Sequence, residues 1–313
     1  MFKLKKTIAI SLVAALMGSV LTCCGTGTSE SKIEAVEDNS EVFSNAVVSY
    51  LGPQGTYTEE ATQFFFQKAE NLIPEGTVDE AIQDVVNGSA DYAVIPQENT
   101  LGGAVTNYVD ALISHDDIKV VGEVVLPISQ TLLGVPGATL VDISTVCSHA
   151  QGITQSEEWR KENLPDAKTE EMESTAAAAK YVAETGDKTI AAIGAPGAAE
   201  LYGLSVLAEN VQITDANRTR FYVLSLSSLE GRQTNLVIVA SCEANRIDDI
   251  LVELHNAGLE LVTIHDRPEG SKLGMYNYIL EFESKSGITD KIKRTIDGID
   301  DIQYRGSFDV MEK

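Results

Sequence analysis

Positive charge is scarce in this chain of 313 residues. It carries 23 lysines and arginines against 47 aspartates and glutamates, which gives a formal net charge of −24 and a pI near 4.4. A surface of this sign repels phosphate backbones, so we expect no nucleic-acid partner. It also repels small anions at long range. Any anion-binding site must therefore depend on local hydrogen-bond donors.

Residues that hold metals or common cofactors are also few. The four histidines lack ligand spacing and the four cysteines include no C-x-x-C pair, so no metal site is predicted. The sequence has neither a dinucleotide-binding glycine motif nor a phosphate-binding loop, so we expect no cofactor. Cys147 and Cys242 are each flanked by apolar residues. We expect two buried free thiols, although a disulfide between them stays open.

The N-terminus has the pattern of an export signal. Three lysines among the first six residues precede an apolar run, Ile8–Leu21, which ends at Cys23 and Cys24. The run is short for a bilayer span. We interpret residues 1–24 as a lipoprotein-type signal peptide, acylated at either cysteine, and the polar residues 25–45 as a flexible linker. This predicts an extracytoplasmic protein that touches the membrane only through its lipid anchor; the alternative is a fortuitous apolar tail on a cytoplasmic protein.

Strands and helices alternate between residues 46 and 228. Such alternation is typical of parallel sheets covered by helices, and it indicates an α/β fold. The elements form two groups, residues 47–126 and 127–213, and residues 214–226 are expected to return to the first group. Two lobes joined in this way are similar to a periplasmic-binding-protein-like architecture. Ligands of such sheets bind at the carboxyl ends of strands, so we expect the site in the cleft between the lobes.

The pattern changes in residues 233–313, which predict a βαββαβ order. This order is that of a ferredoxin-like unit, and it resembles a regulatory ACT domain. Because ACT modules pair edge to edge, we expect a homodimer or tetramer.

Five short motifs occur in order within residues 52–221. They are Gly52-Pro53-Gln54-Gly55-Thr56-Tyr57-Thr58, Ile95-Pro96-Gln97-Glu98-Asn99-Thr100, Ser148-His149-Ala150-Gln151, Ser174-Thr175 with the alanine run after it, and Asn217-Arg218-Thr219-Arg220-Phe221. In this order and at these spacings the set resembles prephenate dehydratase, the enzyme family that turns prephenate into phenylpyruvate. One such motif would be chance, whereas five in order are a strong signal.

The resemblance implies which residues do the chemistry. Prephenate is a dianion that loses CO2 and hydroxide, which calls for neutral donors more than for a strong base or a metal. Four residues are expected to be catalytic: Thr219, Asn99, Ser148 and Gln151. Six are expected to bind substrate: Thr56, Thr58, Thr100, Ser174, Thr175 and Arg220. We expect the Thr219 hydroxyl to donate to the departing hydroxyl.

Several of these residues have a structural alternative. Thr56 and Ser174 are also ordinary helix caps, and Ser148 can cap the helix after it. Arg220 either clamps a substrate carboxylate or pairs with an acid of the other lobe, and we favour the second role. His149 is a possible general acid, but a hinge or capping role is favoured.

The sequence departs from the family pattern in three places. Before the Thr219-Arg220-Phe221 motif the family usually carries an acidic residue after Glu-Asn-x-Gln, whereas here Glu209-Asn210-Val211-Gln212 is followed by Ile213, with Asp215 two places later. Gln97 and Thr100 replace the usual Ile and Ser, and a threonine keeps the hydroxyl. In the ACT-like module, the usual phenylalanine-binding motifs Pro-Gly-Ala-Leu and Glu-Ser-Arg-Pro are degenerate, with Asn245, Arg246 and Arg267 as the candidate regulatory residues. Loss of the glycine removes a close backbone approach, and Arg246 adds bulk. We therefore expect weak or absent feedback by phenylalanine.

Two functions of different class stay open. The favoured one is an extracytoplasmic prephenate dehydratase, with prephenate or arogenate as substrate. The alternative is a lipoprotein that binds an aromatic or carboxylate solute without turnover. The intact Thr219, Asn99 and Thr100 favour the enzyme.

Overall fold

The computed structural model describes residues 43–229 and 233–313. The predicted signal peptide and most of the predicted linker lie outside the described residues. Phe43 is 8% exposed and packs on the rings of Phe65, Phe66 and Tyr92. Phe43, which falls within the predicted linker, is therefore part of the packed core of the described residues. Among the described residues, no helix is long and apolar enough to cross a membrane.

The first lobe is a seven-stranded sheet with three helices. Its strands are β1 (Val47–Leu51), β2 (Asn71–Glu75), β3 (Tyr92–Asn99), β4 (Gly103–Ala104), β5 (Lys119–Pro127), β11 (Arg218–Ser225) and β16 (Val310–Glu312). Its helices are α1 (Tyr57–Phe65), α2 (Val78–Asn87) and α3 (Thr106–Ser114). The strand order is β16-β5-β11-β3-β1-β2, with β4 paired to β3. β11 runs antiparallel to both of its neighbours, β3 and β5.

Helix α2 shows how local sequence sets these elements. The Thr77 hydroxyl accepts a hydrogen bond from the Glu80 N–H, which caps the helix start. Gly88 ends the helix in the left-handed conformation, with φ of 75°. The buried residues are three or four apart and form one apolar face: Val78, Ala81, Ile82 and Val85. That face packs on the sheet.

The second lobe is a five-stranded sheet with four helices. Its strands are β6 (Thr131–Gly134), β7 (Thr145–Ser148), β8 (Lys168–Glu171), β9 (Ile190–Gly194) and β10 (Ser205–Ala208), in the order β10-β6-β9-β7-β8. Its helices are α4 (Ala150–Gln155), α5 (Glu157–Asn163), α6 (Thr175–Thr185) and α7 (Gly197–Tyr202). Two segments connect the lobes: residues 128–130 lead from β5 to β6, and residues 209–217 lead from β10 back to β11.

The C-terminal unit is a four-stranded antiparallel sheet with two helices. Its strands are β12 (Asn235–Glu243), β13 (Glu260–Pro268), β14 (Met275–Glu283) and β15 (Ile302–Phe308), in the order β13-β14-β12-β15. Its helices are α8 (Ile247–Ala257) and α9 (Asp290–Asp297). This is the predicted ferredoxin-like βαββαβ unit. The predicted fold class, two α/β lobes with an ACT-like unit, is confirmed.

The C-terminal unit is packed onto the first lobe. Val237, Val239, Ile279 and Phe308 lie in one buried cluster with residues of α2, α3, β3, β5 and β11. Strand β16 then leaves the unit and pairs in parallel with β5. The unit predicted over residues 233–313 thus contributes its last strand to the first sheet. Strand β16 has three residues, which are too few to show a periodicity from which this pairing could be predicted.

Candidate active site

The candidate active site lies where the end of β3 meets the start of β11. The two strands pair in antiparallel register, which sets Asn99 directly opposite Thr219. Asn99 Nδ2 lies 2.9 Å from Thr219 Oγ1, although the two residues are 120 positions apart in the sequence. Thr219 is buried and Asn99 is partly buried. The structure thus brings two of the predicted catalytic residues into direct contact.

The side-chain amide of Asn99 has a defined orientation. Its Oδ1 accepts hydrogen bonds from the backbone N–H groups of Leu101 and Gly102, each at 3.0 Å. A backbone N–H can only donate, so the amide oxygen and nitrogen cannot be exchanged. Nδ2 therefore faces Thr219 and donates to its hydroxyl oxygen. Because the hydroxyl oxygen accepts this bond, the Thr219 proton is available for donation to another group.

The second lobe reaches this pair through Gln151. This residue lies in the first turn of α4, and its exposed side chain places Nε2 at 3.3 Å from Asn99 Oδ1. His149 is the N-cap of the same helix, where its Nδ1 accepts from the Gln151 N–H at 3.3 Å. Thr219, Asn99 and Gln151 therefore form one cluster built from both lobes. His149 has the capping role that the sequence favoured.

Thr100 fixes the backbone at the start of β11. Its hydroxyl donates to the Arg218 carbonyl oxygen and accepts from the Arg218 N–H, both at 3.1 Å. The first of these bonds uses the only proton of the hydroxyl. Thr100, a predicted substrate-binding residue, lies beside Thr219 with an exposed side chain. In this structure it holds the strand that carries Thr219.

Ser148 lies outside the cluster, and its predicted role as a catalytic donor stays a prediction. Its side chain is fully buried and its hydroxyl donates to the Ile193 carbonyl oxygen at 2.8 Å. Gly152 packs so closely that a Cβ there would lie 2.3 Å from Ser148 Oγ. As the last residue of β7, Ser148 points into its own lobe and joins β7 and α4 to β9.

Arg220 also lies outside the cluster, and its predicted substrate contact stays untested. Its guanidinium forms a bidentate ion pair with Glu123, with Nε–Oε1 and Nη2–Oε2 both at 2.7 Å, and Nη2 lies 2.5 Å from Glu281 Oε1. Glu123 is on β5 of the same lobe and Glu281 is on β14. Arg220 therefore pairs with acids of its own lobe and of the C-terminal unit, not with one of the second lobe. The reason is the alternation of side chains along β11, which directs Arg220 away from Thr219.

The two carboxylates share one arginine in a buried setting. Glu123 is 1% exposed and Glu281 is fully buried. Burial and the neighbouring Glu281 carboxylate raise the pKa of Glu123 to about 7, against the opposing effect of Arg220. Burial alone would lower the pKa of Arg220, but its hydrogen bonds to Glu123 and the charges of both glutamates raise that pKa above its ordinary value. The Tyr222 hydroxyl donates to Glu281 Oε2 at 2.7 Å.

The remaining predicted binding residues are at helix starts. Thr56 accepts from the Glu59 N–H at 3.4 Å and Ser174 accepts from the Ala177 N–H at 2.9 Å, so both are N-caps. Thr58 is buried in the first turn of α1. Thr175 packs against Gly194, where a Cβ would lie 3.3 Å from the Thr175 carbonyl oxygen. These contacts account for the four residues structurally and leave their predicted substrate contact untested.

Sequence reasoning gave no role to two buried amides behind the cluster. Asn217 is 1% exposed, and its Oδ1 accepts from Asn99 Nδ2 at 2.8 Å. Its Nδ2 donates to Gln155 Oε1 at 3.2 Å, and Gln155 is 6% exposed. Asn217 stands two residues before Thr219 and Gln155 four residues after Gln151. That proximity to the motifs is the signal that could have found them.

The predicted regulatory residues are held by surface contacts. Arg246 forms ion pairs with Asp249, Glu253 and Asp301, at 3.5, 3.4 and 3.1 Å. Arg267 forms a bidentate ion pair with Asp110 of α3, at 2.6 and 2.8 Å. Asn245 lies in the turn before α8. Both arginines are therefore paired with acidic side chains of the same chain.

A cavity of about 680 Å³ lies between the first lobe and the C-terminal unit, and its lining includes Thr100 and Arg218 but not Thr219, Asn99 or Gln151. Its lining includes Glu98, Glu123, Glu283 and Glu312 together with Arg218 and Arg220. Four carboxylates against two guanidinium groups disfavour a doubly anionic ligand. Within the described ranges, no group of three or more His, Cys, Asp or Glu side chains could hold a metal ion. The cluster of neutral donors is thus the better candidate for a carboxylate substrate.

Comparison with known proteins agrees with this geometry. A family model described as prephenate dehydratase matches residues 48–228. The prephenate dehydratase of Amycolatopsis methanolica is 32% identical over 270 residues, which cover 83% of this chain and 88% of that protein. A bifunctional chorismate mutase/prephenate dehydratase of Neisseria gonorrhoeae is 34% identical over 239 residues, which cover 75% of this chain and 66% of that relative's length.

A solved structure extends the likeness to three dimensions. The prephenate dehydratase of Arthrobacter aurescens, solved in complex with L-Phe, superimposes with a TM-score of 0.75 at 29% identity, and the match covers 84% of this chain and 89% of that one. The match thus includes most of the described residues. The chain belongs to the prephenate dehydratase family, a family of hydro-lyases.

Proposed function

We propose that this protein converts prephenate to phenylpyruvate, a step of phenylalanine biosynthesis, with the Thr219 hydroxyl as a hydrogen-bond donor to the departing oxygen. The observation that carries the proposal is the orientation of the Asn99 amide. Its Nδ2 donates to Thr219 Oγ1 at 2.9 Å, so the Thr219 proton is directed to an acceptor other than Asn99. The family supports the reaction, and the geometry supports the role of the residue.

The reaction breaks two bonds and forms one aromatic ring. The bond from the ring to its carboxylate breaks and releases CO2, and its electron pair enters the ring. The C–O bond at the opposite ring position breaks, and the oxygen leaves as water after it gains one proton from solvent. A neutral donor at the leaving oxygen stabilises the charge that develops there. Gln151 Nε2 has a second hydrogen that is suited to a substrate carboxylate.

The test is conversion of prephenate by the wild type and by Thr219→Val, which keeps the shape and removes the hydroxyl. We expect kcat to fall by about 100-fold or more, the scale for removal of one transition-state donor. Thr219→Ser should retain much of the activity. Thr169→Val on the exposed strand β8 is the matched control and should leave the rate unchanged. A wild type that binds prephenate without forming phenylpyruvate would support the solute-binding alternative instead.

The choice between prephenate and arogenate rests on one substituent. Arogenate has an ammonium group where prephenate has a ketone. We propose prephenate as the better substrate, since the hydrogen bonds of the cluster come from neutral amides and a hydroxyl, with no carboxylate joined to them. Side-by-side kcat/KM values decide the matter, and a higher value for arogenate would reverse the assignment.

The ACT-like unit is proposed to respond weakly to phenylalanine. The Arthrobacter aurescens relative was solved with L-Phe bound. In this chain Arg246 and Asn245 stand where the family has glycine-containing sequence, and Arg246 is tied to three acidic side chains. Millimolar L-Phe should leave the rate of phenylpyruvate formation unchanged. Strong inhibition by L-Phe would contradict this proposal.

The outer edge of β13 supports a homodimer. This strand is at the end of its sheet, and its exposed apolar side chains include Leu261, Val262 and Ile264, at 43%, 40% and 41% exposure. Open edges with apolar residues favour pairing with another strand. Sedimentation should give a dimer for the wild type and a monomer for Ile264→Lys. Val252→Lys, on the exposed side of α8, is the control and should remain dimeric.

The sequence of residues 1–24 supports export and lipid anchoring at Cys23 or Cys24. Growth of the producing bacterium with an alkynyl fatty acid should label the full-length protein. Cys23→Ala and Cys24→Ala then identify the acylated residue, since only one of them should abolish labelling. Recovery of unlabelled, uncleaved protein from the cytoplasm would contradict the export proposal.

A further inference from the structure

A line of buried amides runs from the connection between the lobes to the Thr219 cluster. Gln130 lies in the segment that leads to β6 and is 4% exposed, and its Nε2 is 3.5 Å from Gln155 Oε1. The same Gln155 oxygen accepts from Asn217 Nδ2 at 3.2 Å. Asn217 Oδ1 in turn accepts from Asn99 Nδ2 at 2.8 Å. Asn217 is therefore the link between helix α4 of one lobe and Asn99 of the other.

The orientation of the Asn99 amide determines which atom of each further amide along this line donates and which accepts. The backbone N–H groups of Leu101 and Gly102 hold Asn99 Oδ1, so Asn99 presents its NH2 group to Asn217 and Thr219. Asn217 must then offer its oxygen to Asn99 and its nitrogen to Gln155. Any other orientation would set two donors or two acceptors against each other in a buried place, which is costly.

An amide nitrogen has two hydrogens, yet three acceptors lie near Asn99 Nδ2. They are Asn217 Oδ1 at 2.8 Å, Thr219 Oγ1 at 2.9 Å and the Arg218 carbonyl oxygen at 3.2 Å. Asn217 is the nearest acceptor, so it engages one hydrogen and leaves the other for Thr219. Without Asn217, the Asn99 amide plane is held only at its oxygen and can tilt so that a hydrogen of its NH2 group moves toward the Arg218 carbonyl oxygen, and Thr219 loses its fixed donor.

We propose that Asn217 is a positioning residue for the dehydration, which orients the Asn99 amide and through it the Thr219 hydroxyl. The inference rests on the proposed function of Thr219. Asn217 is 1% exposed, so it acts through Asn99 and not by contact with substrate. Loss of such a residue should lower kcat and leave KM nearly unchanged, because the substrate-contacting groups stay in place.

The experiment is a double-mutant cycle between Asn217→Ala and Asn99→Ala, with kcat and KM measured on prephenate. We expect Asn217→Ala alone to lower kcat by about 10- to 100-fold, the scale for a misplaced catalytic group. In the Asn99→Ala background the same change should have little further effect, because the group through which Asn217 acts is already gone. An equal loss in both backgrounds, or a loss confined to KM, would overturn the proposal.

Two further variants separate positioning from folding. Asn217→Asp keeps an oxygen for Asn99 but sets an acceptor against Gln155 Oε1, so it should retain more kcat than Asn217→Ala although it unfolds at a lower temperature. Asn163→Ala removes an exposed amide that donates to the Trp159 carbonyl oxygen, and it should be without effect. A crystal structure of Asn217→Ala gives a readout independent of turnover. A rotated Asn99 amide is expected there, and an unmoved Asn99 would refute the proposal even if the wild type proved inactive on prephenate.

Discussion

Replacement of Glu123 by glutamine should make the protein more stable at neutral pH, although it removes the carboxylate that forms a bidentate ion pair with Arg220. Glu123 and Glu281 are both buried and share the single guanidinium of Arg220. Burial and the Glu281 charge raise the pKa of Glu123 to about 7 from an ordinary 4.5. The folded protein thus holds a proton on Glu123 at pH values where the unfolded chain has lost it. Stability therefore falls as the pH rises from 4.5 to about 7.

The size of this effect follows from the pKa. A rise from 4.5 to about 7 corresponds to about 3 kcal/mol of stability that is present below pH 4.5 and absent above pH 7. Glu123→Gln mimics the protonated form at every pH. It should therefore match the wild type near pH 4.5 and exceed it by up to about 3 kcal/mol at pH 8. Replacement of a buried charge by a neutral group of the same shape is often stabilising in this way.

Urea unfolding at pH 5, 6, 7 and 8 measures the difference between the two proteins, which cancels the contribution of all other titrating groups. Glu162→Gln, at an exposed position of helix α5, is the control and should follow the wild-type profile. A Glu123→Gln protein that is less stable than the wild type at pH 8 would refute the reasoning. That result would mean that the attraction between Glu123 and Arg220 stabilises the fold by more than the burial of the second carboxylate destabilises it.

Two further substitutions test the packing around the site. Arg220→Met should lower the free energy of unfolding at pH 8 by about 3–5 kcal/mol, because it leaves two buried carboxylates without their partner, and urea unfolding measures this. Gly152→Ala should cost about 1–3 kcal/mol in thermal unfolding, since its Cβ would lie 2.3 Å from Ser148 Oγ. Gly197→Ala is the control, because a Cβ there meets nothing within 4 Å. A Gly152→Ala midpoint equal to the control would show that Ser148 moves freely.

The parts of the site predictable from sequence are those that depend on strand ends. The motif around Asn99 follows a buried apolar run, and the motif around Thr219 opens another. Polar residues in such places collect at one edge of a sheet, so their meeting could be expected. The return of residues 214–226 to the first lobe could also be expected, and β11 lies in that range between β3 and β5.

The direction of each side chain could not be predicted in the same way. Ser148 and Gln151 belong to one motif, yet Ser148 ends a strand that faces the interior, while Gln151 is on the exposed first turn of a helix. Only the packing of Gly152 and Ile193 around Ser148 decides this. Asn217 opens the Asn217–Phe221 motif, which points to the residue, but its role depends on contacts with Gln155 and Asn99 that only the fold brings about.

The sequence pattern did not predict the edge strands β8 and β16, for a different reason. The four residues of β8 are all exposed, and β16 has three residues that pair only with β5. Such strands carry no alternation of apolar and polar residues, because one of their faces is not buried against a core. Their pairing is determined by the neighbouring strand and not by their own composition.

The Thr219-Arg220-Phe221 motif combines three environments because β11 is a central strand covered on both faces. Thr219 meets Asn99 at the junction of the lobes. Phe221 is 1% exposed and lies in the buried cluster beneath α1, on the same side of the strand as Thr219. Arg220 points the other way, to Glu281 of the C-terminal unit. The ACT-like unit therefore contacts the reverse face of the strand that carries Thr219, at the residue next to Thr219, so this unit supports the candidate site structurally.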